Sequence, residues 1–143
     1  MAGFRPLACV LFSLVVFMAT GCVSPPKVDL YQKAIDDGNH SICLTLKGQN
    51  SRDSCLQKVG VSRGSPLVCQ LIESQSYSRV CFEGVLSASK NASVCGGISN
   101  ASIADQCRWA AAKVLLNSTM CETLQGRQER LLCLQDLRNI RAF

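Results

Sequence analysis

From residue 39 onward one pattern of apolar and polar positions returns every 26 residues, in units 39–64, 65–90, 91–116 and 117–142. In each unit the fourth position is apolar (Ile42, Val68, Val94, Met120), the fifth is cysteine, and the eighth is apolar again (Leu46, Ile72, Ile98, Leu124). That spacing marks one face of a helix about two turns long. The first position holds Asn39, Ser65, Asn91 or Asn117, whose side-chain oxygen can accept from the free amides of a first helical turn. Pro66 stands at the first helical position of the second unit, where its missing N–H costs nothing. Loop residues follow, as in Gly48-Gln49-Asn50, Ser74-Gln75-Ser76, Ser99-Asn100-Ala101 and Gly126. A second helix then carries a cysteine at position seventeen and Val59, Val85, Ala111 or Leu137 at twenty-one, one turn apart on one face. Position twenty-four adds Ala88, Val114 and Ile140, with Ser62 in the first unit. Each unit therefore predicts a helical hairpin, a short helix followed by a longer one.

The ends read as extensions of the same scheme. Val28 to Asp37 fits a lead-in helix closed by Gly38, with Leu30, Tyr31 and Ala34 placed to cover the open end of the first hairpin. Leu131, Leu132, Leu134, Leu137 and Ile140 pattern a longer last helix, with Arg138 and Arg141 near its negative pole. Hairpins that stack on one another bury a shared core. The expected fold is all-α: a short α-solenoid or compact array of four 26-residue hairpins, with residues 28–38 as an N-terminal capping helix and 39–143 as the repeats.

The cysteines sharpen this. Eight of the ten fall at 43, 55, 69, 81, 95, 107, 121 and 133, so gaps of 12 and 14 alternate without a slip. Within a unit, Cys43 and Cys55 each lie about one turn from the same loop, so antiparallel helices bring them to equal height. Between units, Cys55 lies about two turns before the connection and Cys69 one turn after it, a mismatch of roughly 6 Å along the axis. A disulfide does not span that without tilting the helices. The predicted bridges are Cys43–Cys55, Cys69–Cys81, Cys95–Cys107 and Cys121–Cys133. Each closes a loop of about 13 residues, a contribution of roughly 3 kcal/mol in the chain-entropy model.

The amino end differs in kind. Arg5 is the only cation of the first six residues, and Leu7 to Ala19 is an apolar run interrupted by a single hydroxyl, Ser13. Such a run reaches about 20 Å as a helix, short of the roughly 30 Å hydrocarbon core. The order basic, apolar, small is that of a secretory signal, expected to occupy residues 1–21. Ala19-Thr20-Gly21-Cys22 resembles the lipobox of bacterial lipoprotein signal peptides, although Ala19 stands where Leu is usual. The resemblance implies cleavage before Cys22, acylation of its sulfur, and a membrane-anchored protein. Val23-Ser24-Pro25-Pro26 then reads as an extended tether within residues 22–27. Losing Cys9 with the signal and committing Cys22 to lipid leaves the even set of eight.

Composition narrows the chemistry. Without Arg5, 14 Lys and Arg face 10 Asp and Glu, a net of +4 scattered from Lys27 to Arg141. Nucleic acid would need a concentrated basic face, so none is expected as a partner. Paired thiolates two to four residues apart, as structural zinc requires, do not occur, so neither a metal nor another cofactor is expected. His40 is the only histidine and reads as an exposed first-turn residue. Asp29, Asp36 and Asp37 read as the solvated face of the lead-in helix. No phosphate loop, metalloprotease motif or nucleophile elbow is present. Asn39, Asn91, Asn100 and Asn117 each begin a glycosylation sequon, but capping already explains the three at position one.

The bridged hairpin resembles the coiled-coil-helix proteins of the mitochondrial intermembrane space, whose intervals differ. It is also similar to disulfide-bridged relatives of the tetratricopeptide family, whose units are longer. Both resemblances imply architecture alone. The positions that break the repeat are thirteen to sixteen (from Ser51-Arg52-Asp53-Ser54 to Glu129-Arg130-Leu131-Leu132) and eighteen (Leu56, Phe82, Arg108, Leu134). They are where a solenoid would discriminate partners, or where packing merely drifts. The functional expectation is a lipid-anchored envelope protein without catalytic residues, a binding or scaffold module for another envelope protein or for cell-wall material. It would be anchored on the periplasmic or extracellular side, in the outer membrane if the host is Gram-negative. The alternatives are an envelope enzyme with an unrecognised site, and a purely structural or inhibitory lipoprotein.

Overall fold

A computed structural model describes residues 29–142. Helix α1 spans Leu30–Asp36. Four pairs of elements follow: α2 (His40–Leu44) with α3 (Gln49–Arg63), α4 (Pro66–Cys69) with α5 (Gln75–Ser89), the 3-10 helix η1 (Ala92–Gly97) with α6 (Ala101–Leu115), and α7 (Thr119–Glu122) with α8 (Arg127–Arg141). The described residues are all-α. Each of the four long helices has 15 residues, and their starts at 49, 75, 101 and 127 keep the 26-residue period. They pack in chain order, α1 on α3, α3 on α5, α5 on α6 and α6 on α8, while short elements line the other side, α4 against η1.

Every pair is closed by a disulfide. Cys43–Cys55, Cys69–Cys81, Cys95–Cys107 and Cys121–Cys133 hold their Cα atoms 5.5, 5.6, 5.7 and 5.6 Å apart, inside the range a bridge requires. Seven of the eight half-cystines are 0 % exposed and Cys95 is 3 % exposed, so sulfur sits at the centre of the core. Around it lie the position-twenty-one residues Val59, Val85, Ala111 and Leu137, together with Ile72, Ile98 and Leu124, all buried. One continuous core runs from α1 through the third hairpin, with Phe82 as its largest side chain, and a smaller cluster lies under the fourth.

The first helix is little more than one α-turn, four or five residues, in three hairpins and six residues of 3-10 helix in the third, shorter than expected in the former. Its apolar face is buried as expected, but position eight falls in the loop beyond it. The Thr45 and Thr123 hydroxyls donate to the carbonyls of Ile42 and Met120 at 2.8 and 2.7 Å, offering those acceptors a partner other than the next helical amide. Gly96-Gly97 follows Cys95 directly, and that turn tightens to 3-10. The carboxamides of Asn39 and Asn91 accept from Ser41 and Ser93 amides at 3.0 and 2.9 Å, and Asn117 accepts from Thr119 at 3.0 Å. Ser65 makes no side-chain cap.

Helices α1, α3, α5 and α6 end alike, whereas α8 ends right-handed at Ala142. Gly38, Gly64, Lys90 and Leu116, spaced 26 apart, are left-handed (φ 61°, 60°, 51° and 52°). At three of these ends the next residue's amide reaches five residues back: Asn39 to Ala34, Ser65 to Gly60 and Asn117 to Ala112, at 2.9–3.0 Å. This is the six-to-one bond of a Schellman cap, and it extends the period into α1. That seven-residue helix, capped at Asp29, closes the amino end of the stack. Ala34 is buried and Tyr31 packs against the core, but Leu30 is 45 % exposed and covers nothing. The outer surface of α1 is polar, with Gln32 bonded to Asp36 and Lys33 to Asp37, both at 2.8 Å. The Asp37 carboxylate, by hydrogen bond and charge, holds the Lys33 ammonium above the ordinary lysine range.

The opposite end differs. Helix α8 is no longer than its siblings, and Leu131, Leu132 and Ile140 are 56, 43 and 42 % exposed. Position twenty-four is not a core column: Ala88 is exposed like Ile140, and only Val114 packs against the core.

Position twenty-two is where one hairpin meets the next. Gly60, Leu86 and Ala112 are buried there. A Cβ added at Gly60 would stand 2.7 Å from Cys81 Sγ and 3.3 Å from Cys69 Sγ, so the α3 backbone lies directly on the second bridge. Helix propensity alone would make Gly60→Ala stabilising by about 1 kcal/mol. Here the bridged sulfur cannot swing away, and the expected outcome is destabilisation by about 1–3 kcal/mol. Gly96→Ala, with nothing within 4 Å of the new Cβ, leaves stability unchanged or higher. Thermal melts of the two variants under non-reducing conditions check the contrast.

Candidate functional site

The residues that interrupt the repeat do two things. Some join hairpins. Asp53 on α3 is only 1 % exposed, and its carboxylate accepts from the amides of Glu73 and Ser74 at 3.2 and 2.9 Å. It thereby satisfies free donors at the start of α5. Asp105, two units on, does likewise from α6: it accepts from the Gln125 amide at 2.9 Å and pairs with Arg108 at 2.7 Å. Lys113 on α6 meets Glu83 on α5 at 2.6 Å. Arg63 donates to the Gly38 carbonyl at 3.0 Å, and Arg141 donates to the Leu116 carbonyl at 2.6 Å, each closing the left-handed end of an earlier helix. Leu56 and Phe82 at position eighteen are buried at 1 and 0 % exposure, so this column serves packing in the first two hairpins and not recognition.

Others line a surface. Trp109, the only tryptophan, is half-buried on α6. Its indole N–H donates to Asp136 of α8 at 3.1 Å, and the Arg79 guanidinium of α5 lies over the ring, 5.8 Å from its centroid. Fixed from both neighbouring helices, the ring forms one wall of a groove of about 450 Å³. Gln75, Ser102, Asp105, Gln106 and Glu129 line the rest, and Leu124 is its buried aliphatic member. Its volume is that of an ordinary small-ligand site, its walls more polar than usual. Single-column reading missed it, yet a signal was there: position nineteen is Gln57, Glu83, Trp109 and Gln135. An aromatic in a column otherwise polar is not demanded by the repeat.

His40 is exposed and lies apart, in a shallow groove of about 510 Å³ with Arg63, Leu67 and Leu71. Asp29 caps α1 through the Tyr31 amide at 3.0 Å, while Asp36 and Asp37 take the two surface bonds described above. Asn100 accepts from the Ile103 amide at 3.1 Å at the start of α6, so all four sequon asparagines are caps. Cys22 and the tether after it lie outside the described residues. Among the described residues no three metal-ligating side chains converge, and no helix is long and apolar enough to cross a membrane.

The described chain is thus an all-α protein of four helical hairpins at a 26-residue repeat, each closed by its own disulfide. Four bridges in so short a chain indicate an oxidising, extracytoplasmic compartment. Comparison with known protein families, with curated proteins and with solved structures finds no match.

The connector role of Asp53 has a measurable consequence. Asp53→Ala leaves the part-buried Glu73 and Ser74 amides without their acceptor, and a hydrogen bond to a charged group is worth about 1.5–3 kcal/mol. The expected outcome is a loss of stability of that order, with faster amide exchange at Glu73 and Ser74 while the Cys69–Cys81 bridge stays closed. Hydrogen exchange read by mass spectrometry checks it.

Proposed function

We propose that this chain is a lipid-anchored protein of a bacterial cell envelope. Its helical repeat serves as a binding or scaffold module for another envelope protein or a cell-wall component. The observation that carries the reading is the division of the cysteines. Eight are consumed in four intramolecular bridges, and Cys9 belongs to the apolar leader. That leaves Cys22, placed after Ala19-Thr20-Gly21, as the one thiol without a structural use. An exported protein with a spare thiol at its new amino end is reactive, whereas a thioether-linked lipid removes that liability and supplies the anchor.

A module reading agrees with the architecture. Bridges fix the hairpins and inter-hairpin ion pairs fix the stack, which leaves the long-helix surface free to vary at isolated positions such as 109. The amino end, where the tether would attach, is closed by the polar helix α1, while the Trp109 groove is built from the second, third and fourth hairpins.

Intact mass measurement of the protein purified from its native membrane tests the anchor. The expected result is a chain beginning at Cys22 and carrying a diacylglyceryl group, with or without a further acyl chain. Cys22→Ser is expected to move the protein from the membrane to the soluble fraction with its bridges unchanged. A mature chain with an unmodified Cys22 thiol, or membrane retention of the serine variant, contradicts the assignment.

A further inference from the structure

The Trp109 groove carries a more specific reading. Its aromatic wall is rigid, because the ring is tied at its N–H to Asp136 and flanked by Arg79. Beside it stand the side-chain amides of Gln75 and Gln106 and the Ser102 hydroxyl, which no described residue engages, and the Asp105 and Glu129 carboxylates. Nearby cations are committed elsewhere: Arg108 to Asp105, Lys113 to Glu83, and Arg130 to the carbonyls of Leu124 and Gln125. The lining therefore offers planar donors and acceptors around an aromatic ring, and the cation beside that ring, Arg79, lies over its face.

We propose that this groove binds a neutral oligosaccharide. Each glutamine amide presents a donor and an acceptor side by side, matching neighbouring sugar hydroxyls, and the Glu129 carboxylate accepts from hydroxyl groups. An indole edge or face supplies apolar contact to the C–H surface of a sugar ring, with no demand for charge on the ligand. Competing ligand classes fit worse. An extended peptide seeks a sheet edge with free main-chain groups, and the described residues form none. An amphipathic helix seeks an apolar trough, whereas here Leu124 and Ala101 are the only aliphatic members beside the tryptophan. Acidic polymers meet Asp105 and Glu129. The proposal rests on the reading of the chain as an envelope binding module and names the ligand class of its groove.

Because Trp109 is the only tryptophan, its emission reports occupancy directly. The test is fluorescence titration of the mature, oxidised protein with two soluble probes, an N-acetylglucosamine tetramer and a glucose tetramer. A saturable change with either is the expected result. Gln75→Ala/Gln106→Ala, two lining positions outside the core, is expected to weaken binding about tenfold, the equivalent of 1.4 kcal/mol, with an unchanged thermal melt. Trp109→Phe, read by calorimetry, is expected to weaken it as well. No saturable change with either tetramer at millimolar concentration overturns the proposal. So does saturation by a neutral peptide in place of the sugars, or equal affinity in the double variant. A protein that carries its lipid on Cys22 yet fails this titration keeps the envelope assignment and loses the glycan one.

Discussion

A sulfur–sulfur bond at the centre of each hairpin is the constraint from which the rest of this molecule follows. The four- to six-residue elements α2, α4, η1 and α7 are too short to hold helical structure by themselves. Tied through their cysteines to the second turn of a 15-residue helix, they become fixed ledges against which that helix buries one face. The described residues are poor in aromatic side chains, and among them only Phe82 is fully buried. The bridges compensate by narrowing the unfolded ensemble and by supplying well-packed volume where larger side chains would otherwise be needed.

The same bonds also organise the stack. Because Gly60 brings the α3 backbone against the Cys69–Cys81 bridge, one hairpin's disulfide is part of its neighbour's interface. Gly84 repeats the close approach in another way: a Cβ there would meet Val61 Cγ2 at 2.6 Å. Polar contacts then distinguish one junction from the next. Asp53 anchors the second hairpin to the first, Lys113–Glu83 joins the third to the second, and Asp105 with Trp109–Asp136 joins the fourth to the third. Packing sets the general spacing, and these pairs hold a particular order of hairpins. The two ends are unequal. Helix α1 presents hydrogen-bonded polar groups outward, while α8 leaves Leu131 and Leu132 open.

What repeats was legible beforehand. Cysteine spacing implied the hairpins and their bridges, and the recurring asparagines marked helix starts. The column of Val59, Val85, Ala111 and Leu137 marked the buried face. These signals are local, so reading one unit against another exposes them. Features that join units left only a partial trace, for Asp53 and Asp105 share position fifteen and Arg63 and Arg141 share twenty-five, while the other two units hold unlike residues there. Asp53 looks like any surface acid until the loop at Glu73 arrives over it, and Gly60 looks like a weak point in a helix until a bridge occupies the space of its missing side chain. The short α-helices were overestimated because buried position eight, as in Ile72 and Leu124, continues the apolar pattern into residues that are no longer helical. Trp109 was visible only as a departure from Gln57, Glu83 and Gln135, and its meaning depended on Arg79 and Asp136 lying within reach.

The proposed function rests on what the scaffold leaves unspent: a cysteine ahead of the fold and an aromatic groove on it. Both depend on hairpins that close individually. Proteolysis of the mature protein without reduction, followed by mass spectrometric mapping of the linked peptides, tests that dependence most directly. The account predicts linkage of residue 43 to 55, 69 to 81, 95 to 107 and 121 to 133, and no other pairs. Linkage of Cys55 to Cys69, or of Cys81 to Cys95, would contradict it, as would free thiols throughout the repeats.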